Sequence, residues 1–191
     1  MCQLRCAWVP TDDPLYCRYH DEEWGVPVHD DCKLFEFLIL ETFQAGLSWR
    51  TVLYKRENFR MSFAGFDFEQ VAKFDEADFE RLIHDAGIIR NKLKIKAAIS
   101  NAQAFIRVRE EQGSFDHYIW SFVEDKPLQN HCKTLADVAA KTTLSNSIST
   151  DLKKRGFKFV GSTVVYAHMQ ATGMVNDHTV DCFRYRELSE K

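Results

Sequence analysis

Proline and glycine are scarce in this chain, four and eight in 191 residues. That excludes a collagen-like or proline-rich polymer and leaves little punctuation between ordered segments. No apolar run approaches the length needed to span a membrane, and residues 1–10 carry Arg5 and Trp8 where a secretory signal would have an apolar core. A cytoplasmic protein is therefore expected. An excess of positive charge is also missing, with a formal net charge of −3. This argues against a protein that coats nucleic acid non-specifically but allows a local basic surface touching a few phosphates. The six cysteines, at 2, 6, 17, 32, 132 and 182, lack the dense spacing of a disulfide framework. Metal ligation or plain buried thiols are the expected uses in a reducing compartment. The length suits one domain with a full core.

What the chain does have is apolar residues at three- and four-residue steps. Lys33–Ala45 places Leu34, Phe35, Leu38, Ile39 and Phe43 on one helical face, with Asp30 and Asp31 as candidate caps. A second helix is expected over Ser48–Ser62, capped by Ser48, and short ones over Phe68–Lys73 and Asp75–Asp85. A long amphipathic helix follows over Asn91–Gln112, built on Leu93, Ile95, Ala98, Ile99, Ala102, Phe105 and Ile106 and stopped by Gly113. Ser114–Val123 reads as one more short helix, and Asp125–Leu144 as a loop with one helical turn. Helices over Ser145–Arg155 and Ser162–Thr172 flank the turn RGFKFVG. The expected class is all-α.

Three groups of residues suggest chemistry. His178 and Cys182 are four residues apart, on one face if that segment is helical, and Cys6 and His20 lie near the other end of the chain. Two thiolates and two imidazoles form a closed tetrahedral set of the kind zinc prefers, leaving no position for a catalytic water. Ordinary buried side chains are the competing reading. The second group is the turn Arg155–Thr163. Gly156 can end a helix at positive φ, Gly161 admits close approach of a partner, and Ser162 or Thr163 can cap the next helix. With Lys158, and Lys154 beside it, such a turn would hold a DNA phosphate without reading sequence. An ordinary helix–helix corner explains the same residues. The third group is aromatic and acidic: Trp8, Tyr16, Tyr19 and Trp24 near the start, then Glu41 in an apolar segment beside Trp49. A buried carboxyl has a raised pKa, and an aromatic pocket with one acid suits a flat, amine-bearing ligand. Core rings around a hydrogen-bonded acid are the plain alternative.

Taken together, RCAWV (5–9), DPLYCRYHDEEWGVP (13–27), QAGLSW (44–49), DAGIIRNKLKI (85–95), LKKRGFKFVGST (152–163) and VNDH (175–178) resemble 3-methyladenine DNA glycosylase I, in one order from about Cys6 to Cys182. The resemblance implies a helix-hairpin-helix glycosylase fold with a structural zinc site joining the termini, one Zn2+ held by Cys6, His20, His178 and Cys182. It implies a base pocket of Trp8, Tyr16, Tyr19, Trp24 and Trp49 with Glu41 as the principal polar contact. Leu47 would fill the gap left by a flipped nucleotide, with Gln44 and Gly46 on the same DNA-facing loop. Gly156, Lys158, Gly161 and Ser162 would hold the backbone. The implied substrate is double-stranded DNA containing alkylated adenine, processed by a monomer that releases 3-methyladenine and leaves an abasic site. A non-catalytic, zinc-stapled binder of alkylated DNA is the alternative. Two departures from the family pattern stand out: one extra residue between Cys6 and His20, around Thr11–Asp13, and Thr42–Phe43 at the expected pocket edge. Asp177 is expected to cap a helix or to support His178.

Overall fold

The computed structural model describes residues 3–189, so Cys2 lies outside the described residues. Eleven α-helices account for most of them: α1 (Pro14–Glu22), α2 (Asp31–Gln44), α3 (Trp49–Leu53), α4 (Arg56–Ser62), α5 (Phe68–Val71), α6 (Glu76–His84), α7 (Lys92–Gln112), α8 (Phe115–Trp120), α9 (Thr143–Lys154), α10 (Ser162–Ala171) and α11 (Phe183–Ser189). One two-residue parallel pair interrupts the helical pattern, β1 (Leu128–Gln129) with β2 (Val175–Asn176). β1 lies within the segment expected to be loop, whose single helical turn is the 3₁₀ turn Leu135–Asp137, and β2 lies between α10 and α11.

Side-chain caps set many of the helix starts. Asp30 accepts from the Lys33 amide at α2, Ser48 from Thr51 at α3, and Asn91 from Leu93 and Lys94 at α7. Asp31 instead accepts the amides of Phe115 and Asp116, and so fastens the start of α8 to the start of α2. The expected helix over Ser48–Ser62 is divided at Tyr54–Lys55, where no glycine or proline stands. Tertiary contacts occupy that corner: the Tyr54 hydroxyl donates to Asp13, and Lys55 donates to the carbonyls of Ala86 and Gly87.

Helix α2 is the axis of the molecule. Every residue from Leu34 to Phe43 is buried, so it has no solvent face to match the one-sided stripe expected of it. Two of its polar side chains sit inside on different terms. Glu36 accepts from Arg56 and Arg60, and Arg56 reaches on to Glu23, forming a paired network. Glu41 makes no such pair. Around α2 lie α7, α8 and α10, and the phenylalanines of α2, α4, α5 and α7 fill the main core. Leu93, expected on the core face of α7, is 68% exposed, because the first turn of α7 turns Lys94 and Ile95 inward and Leu93 to solvent.

The chain ends meet beside this core. A second cluster joins Cys6, Val9, Tyr19, Trp24, Phe37 and Cys182. Gly173, with φ +73, brings the end of α10 against the backbone of Val26 and Pro27, where a Cβ would lie 2.4 Å from Pro27 N. Two backbone bonds seal that approach, Gly25 N–H to Gln170 O and Val28 N–H to Thr172 O.

Candidate functional site

A cavity of about 370 Å³ opens where α1, the end of α2 and α10 converge. Trp8, Tyr16, Tyr19, Trp24 and Trp49 line it, with Glu41. All six were expected on sequence grounds, and the structure brings them together. The rings meet edge to face, Trp8 to Trp24 at 4.9 Å and Trp8 to Tyr16 at 5.7 Å, while Tyr19 leans on Trp49 at 4.9 Å. Glu41 is 3% exposed and accepts or donates no hydrogen bond among the described residues. Burial alone pushes its carboxyl up to about 8. Burial, reinforced by the Glu41 charge, raises the Tyr19 hydroxyl as well. The indole N–H of Trp49 is buried without a partner. An acid and an N–H donor, both unpaired in an apolar cleft, are groups that a ligand would satisfy.

Gln44, Ala167, Gln170, Leu135 and Val138 complete the wall; of these only Gln44 was singled out in the sequence, and there as part of the DNA-facing loop. Thr42 and Phe43, expected at the pocket edge, do not line the cavity. Both are fully buried, and Phe43 packs on Phe59 and Phe63. Asp177 corrects a second expectation. It neither caps a helix nor touches His178; its carboxylate accepts from Asn130, Tyr166 and Gln170 and so fixes the amide of a cavity residue.

A smaller cavity of about 190 Å³ shares Glu41, Gln44 and Ala167 with the first and runs out to Gly46, Leu47 and Thr163. It runs from the acid to one exposed loop and to the first turn of α10, which a second loop precedes. In the first, Ala45 (φ −45, ψ 115) and Gly46 (φ +80) form a turn closed by Leu47 N–H to Gln44 O, which leaves Leu47 44% exposed. A positive φ at its third residue makes this a type II turn, which selects glycine there. The second loop is the RGFKFVG hairpin. Gly156 (φ +95) ends α9 with the amides of Gly156 and Phe157 donating to Lys153 O and Leu152 O, the paired bonds of a Schellman motif. Gly161, not Ser162 or Thr163, is the N-cap of α10, and no side chain caps it. The Ser162 hydroxyl is engaged by Ser145 instead. A Cβ at Gly161 would meet nothing within 4 Å, so the fold itself leaves that approach open. Lys158 is exposed, whereas Arg155 is neutralised by Asp151 and Glu111.

Behind the aromatic wall lies the metal-type cluster. The ligand atoms of Cys6, His20, His178 and Cys182 lie within 4.8 Å of one another, and all four residues are buried. Cys182 Sγ is 3.5 Å from His20 Nε2 and from His178 Nδ1, and Cys6 Sγ is 3.5 Å from His178 Nδ1. A tetrahedral ion with Zn–S and Zn–N bonds of ordinary length would separate S and N by about 3.6 Å, so the donor set fits zinc in identity and spacing. His178 and Cys182 are not helical; the segment between β2 and α11 folds back as turns. The imidazoles are oriented from behind. His178 Nε2 donates to Trp24 O at 3.0 Å, and His20 Nδ1 donates to Asp21, which Arg5 grips in turn. Each bond fixes the tautomer that turns a lone pair toward the cluster. The two thiols divide unequally: Cys182 is pulled down by the hydrogen bond from Cys6 and by both imidazoles, and Cys6 is pushed up by the same contact and by burial.

Fold and site together define a helical protein with an acid-bearing aromatic pocket, an exposed turn beside it and a Cys2His2 cluster at its back. Residues 8–185 match the family model for methyladenine glycosylase, and the chain belongs to that family. It is 52% identical to DNA-3-methyladenine glycosylase 1 of Escherichia coli K12 over 181 residues, covering 95% of this chain and 96% of the relative. It is also similar to a crystal structure of 3-methyladenine DNA glycosylase I, with a TM-score of 0.91, 50% identity, and 94% and 98% of the two chains covered. A second similar structure, 35% identical with a TM-score of 0.88 over 91% and 93%, is a tyrosine-to-phenylalanine variant of 3-methyladenine DNA glycosylase I in complex with 3-methyladenine.

Proposed function

We propose that the protein is a monofunctional DNA glycosylase that hydrolyses the N-glycosidic bond of 3-methyladenine in DNA, releasing the base and leaving an abasic site. The observation that carries this reading is Glu41, buried and unpartnered at the junction of the aromatic cavity and the smaller cavity that runs out to Leu47. The complex of a related enzyme with 3-methyladenine supports the choice of ligand.

In this reading the lesion leaves the duplex, stacks on Trp49 and sits among Trp8, Tyr16, Tyr19 and Trp24. Methylation makes the base a cation while it is joined to the sugar, which weakens the glycosidic bond before any protein acts. Glu41 meets that cation as a carboxylate and accepts from its amino edge, which favours adenine over guanine. Water then attacks the sugar carbon as the neutral base departs. No lysine lines the cavity to trap the sugar as a Schiff base, so the reaction ends at the abasic site.

The finer assignments follow the same reading. Helices α9 and α10 with their turn act as a helix-hairpin-helix, where Gly156, Lys158, Gly161 and Ser162 hold the backbone of double-stranded DNA and the uncapped start of α10 receives a phosphate. Leu47 fills the vacated position, with Gln44 and Gly46 shaping its turn. One zinc ion held by Cys6, His20, His178 and Cys182 is structural, because four protein ligands leave it no open position. The protein works as a cytoplasmic monomer with a single domain, and no helix among the described residues is long and apolar enough to cross a membrane.

The test is chromatography of bases released from methylated duplex DNA. Wild-type protein should release 3-methyladenine, and Glu41→Gln should lower kcat/KM at least about a hundredfold while melting no lower than wild type. Duplex binding with no base released would defeat the activity.

A further inference from the structure

Helix α7 contributes nothing to the cavity, yet two polar side chains are buried on its core face. Lys94 is 6% exposed, and its ammonium donates to Phe43 O at 2.8 Å and Ala45 O at 2.6 Å, with no carboxylate beside it. Those carbonyls belong to the end of α2 and to the turn that carries Leu47. Asn101 is fully buried; its amide donates to Lys158 O at 3.0 Å and accepts from Lys158 N–H at 2.7 Å. That pair clamps the middle of the glycine hairpin. Seven residues separate Lys94 from Asn101, two turns on one helical face and about 10 Å of rise.

We propose that Lys94 and Asn101 are positioning residues that hold the Leu47 turn and the Lys158 hairpin at a fixed separation for DNA, with α7 as the spacer. Several observations favour this over plain core packing. A core-facing lysine normally pairs with an acid, whereas this one is spent on two main-chain carbonyls at the end of a helix, where a cation also offsets the helix dipole. Both side chains grip backbone rather than side chains, so they set where the loops run and leave their residues free to act. Leu47 and Lys158 are both exposed, and nothing else among the described residues forms a side-chain hydrogen bond to the main chain of 43–47 or of Lys158.

The inference rests on the proposed glycosylase activity, and two readouts keep the questions apart. Lys94→Met should leave the affinity for free 3-methyladenine within about twofold of wild type while kcat/KM on methylated duplex falls about tenfold or more, chiefly through KM. Lys94→Arg, which keeps the charge and the donors, should recover most of that loss. Asn101→Ala should show the same split. Amide exchange is independent of activity: Leu47 should exchange faster in Lys94→Met, and Lys158 in Asn101→Ala. A wild-type protein that releases no base overturns the assigned activity, and amide exchange still decides the role of α7. Unchanged exchange at both amides, or equal losses of free-base and duplex affinity, would overturn the proposal.

Discussion

A carboxyl group inside an apolar helix is comfortable only as the neutral acid, because nothing near it repays the loss of water. Glu41 is in that position, and its pKa of about 8 against an ordinary value of 4.5 states the imbalance. The folded protein therefore binds an extra proton between about pH 4.5 and 8. Its contribution to stability is fully present below the unfolded value and is lost as pH rises through 8. Glu41→Gln should accordingly melt several degrees higher than wild type at pH 8.5, with the gap closing toward pH 5, as differential scanning calorimetry would record. Catalysis has the opposite sign. If the carboxylate receives the cationic base, kcat/KM should climb with pH to a plateau above about 8, and Glu41→Gln should lose that climb. A wild-type profile that is flat or falling over pH 6–8 would remove the carboxylate from base recognition. Glu36 sits on the same helix with the same burial, but Arg56 holds its carboxyl below the usual range. Partners, not burial alone, separate a structural acid from a functional one.

Among the elements, the end of α10 depends on a single missing methyl group. Gly173 combines φ +73 with backbone from Val26 and Pro27 closer than any Cβ could tolerate. Gly173→Ala should cost at least about 2 kcal/mol and lower Tm by about 5 °C or more, measured by circular dichroism. Wild-type stability in that variant would show that α10 can move off the Val26–Pro27 segment at no cost. Helix starts were readable from the sequence where a cap residue preceded an apolar rhythm, as at Asp30, Ser48 and Asn91. Interruptions without a breaker were not, and Tyr54–Lys55 is the example: distant partners there turn one expected helix into two. Lys94 and Asn101 did not stand out in the sequence of α7. Their partners were not legible either, because main-chain carbonyls leave no trace in a sequence.

On the scale of the whole molecule, the Cys2His2 cluster joins residue 6 to residue 182 and braces the pocket. Trp24 packs on His178 at 4.6 Å and Trp8 on His20 at 5.2 Å, so the cluster and the pocket rings share one wall. One zinc per chain is expected by atomic absorption. Stripping it with a chelator, or replacing Cys182 by Ser, should lower Tm by about 10 °C, the effect of a ligand present at a thousandfold its Kd on a chain of this size. Tryptophan fluorescence should shift in the same titration, because two of the pocket rings rest on the cluster. Metal-free protein with unchanged Tm and unchanged fluorescence would sink the clip.

The sequence determined the helical class through its periodicity, which is a property of side chains, and it presented the pocket residues and the four donors as candidates that only the family motifs singled out. Tertiary structure decided the rest. It buried every residue of α2 from Leu34 to Phe43, Thr42 and Phe43 among them, sent Asp177 to Gln170 rather than His178, and gave the N-cap of α10 to Gly161. It also left Glu41 without a partner. Each outcome depends on what lies opposite a side chain across the fold, and packing settles that where local sequence cannot.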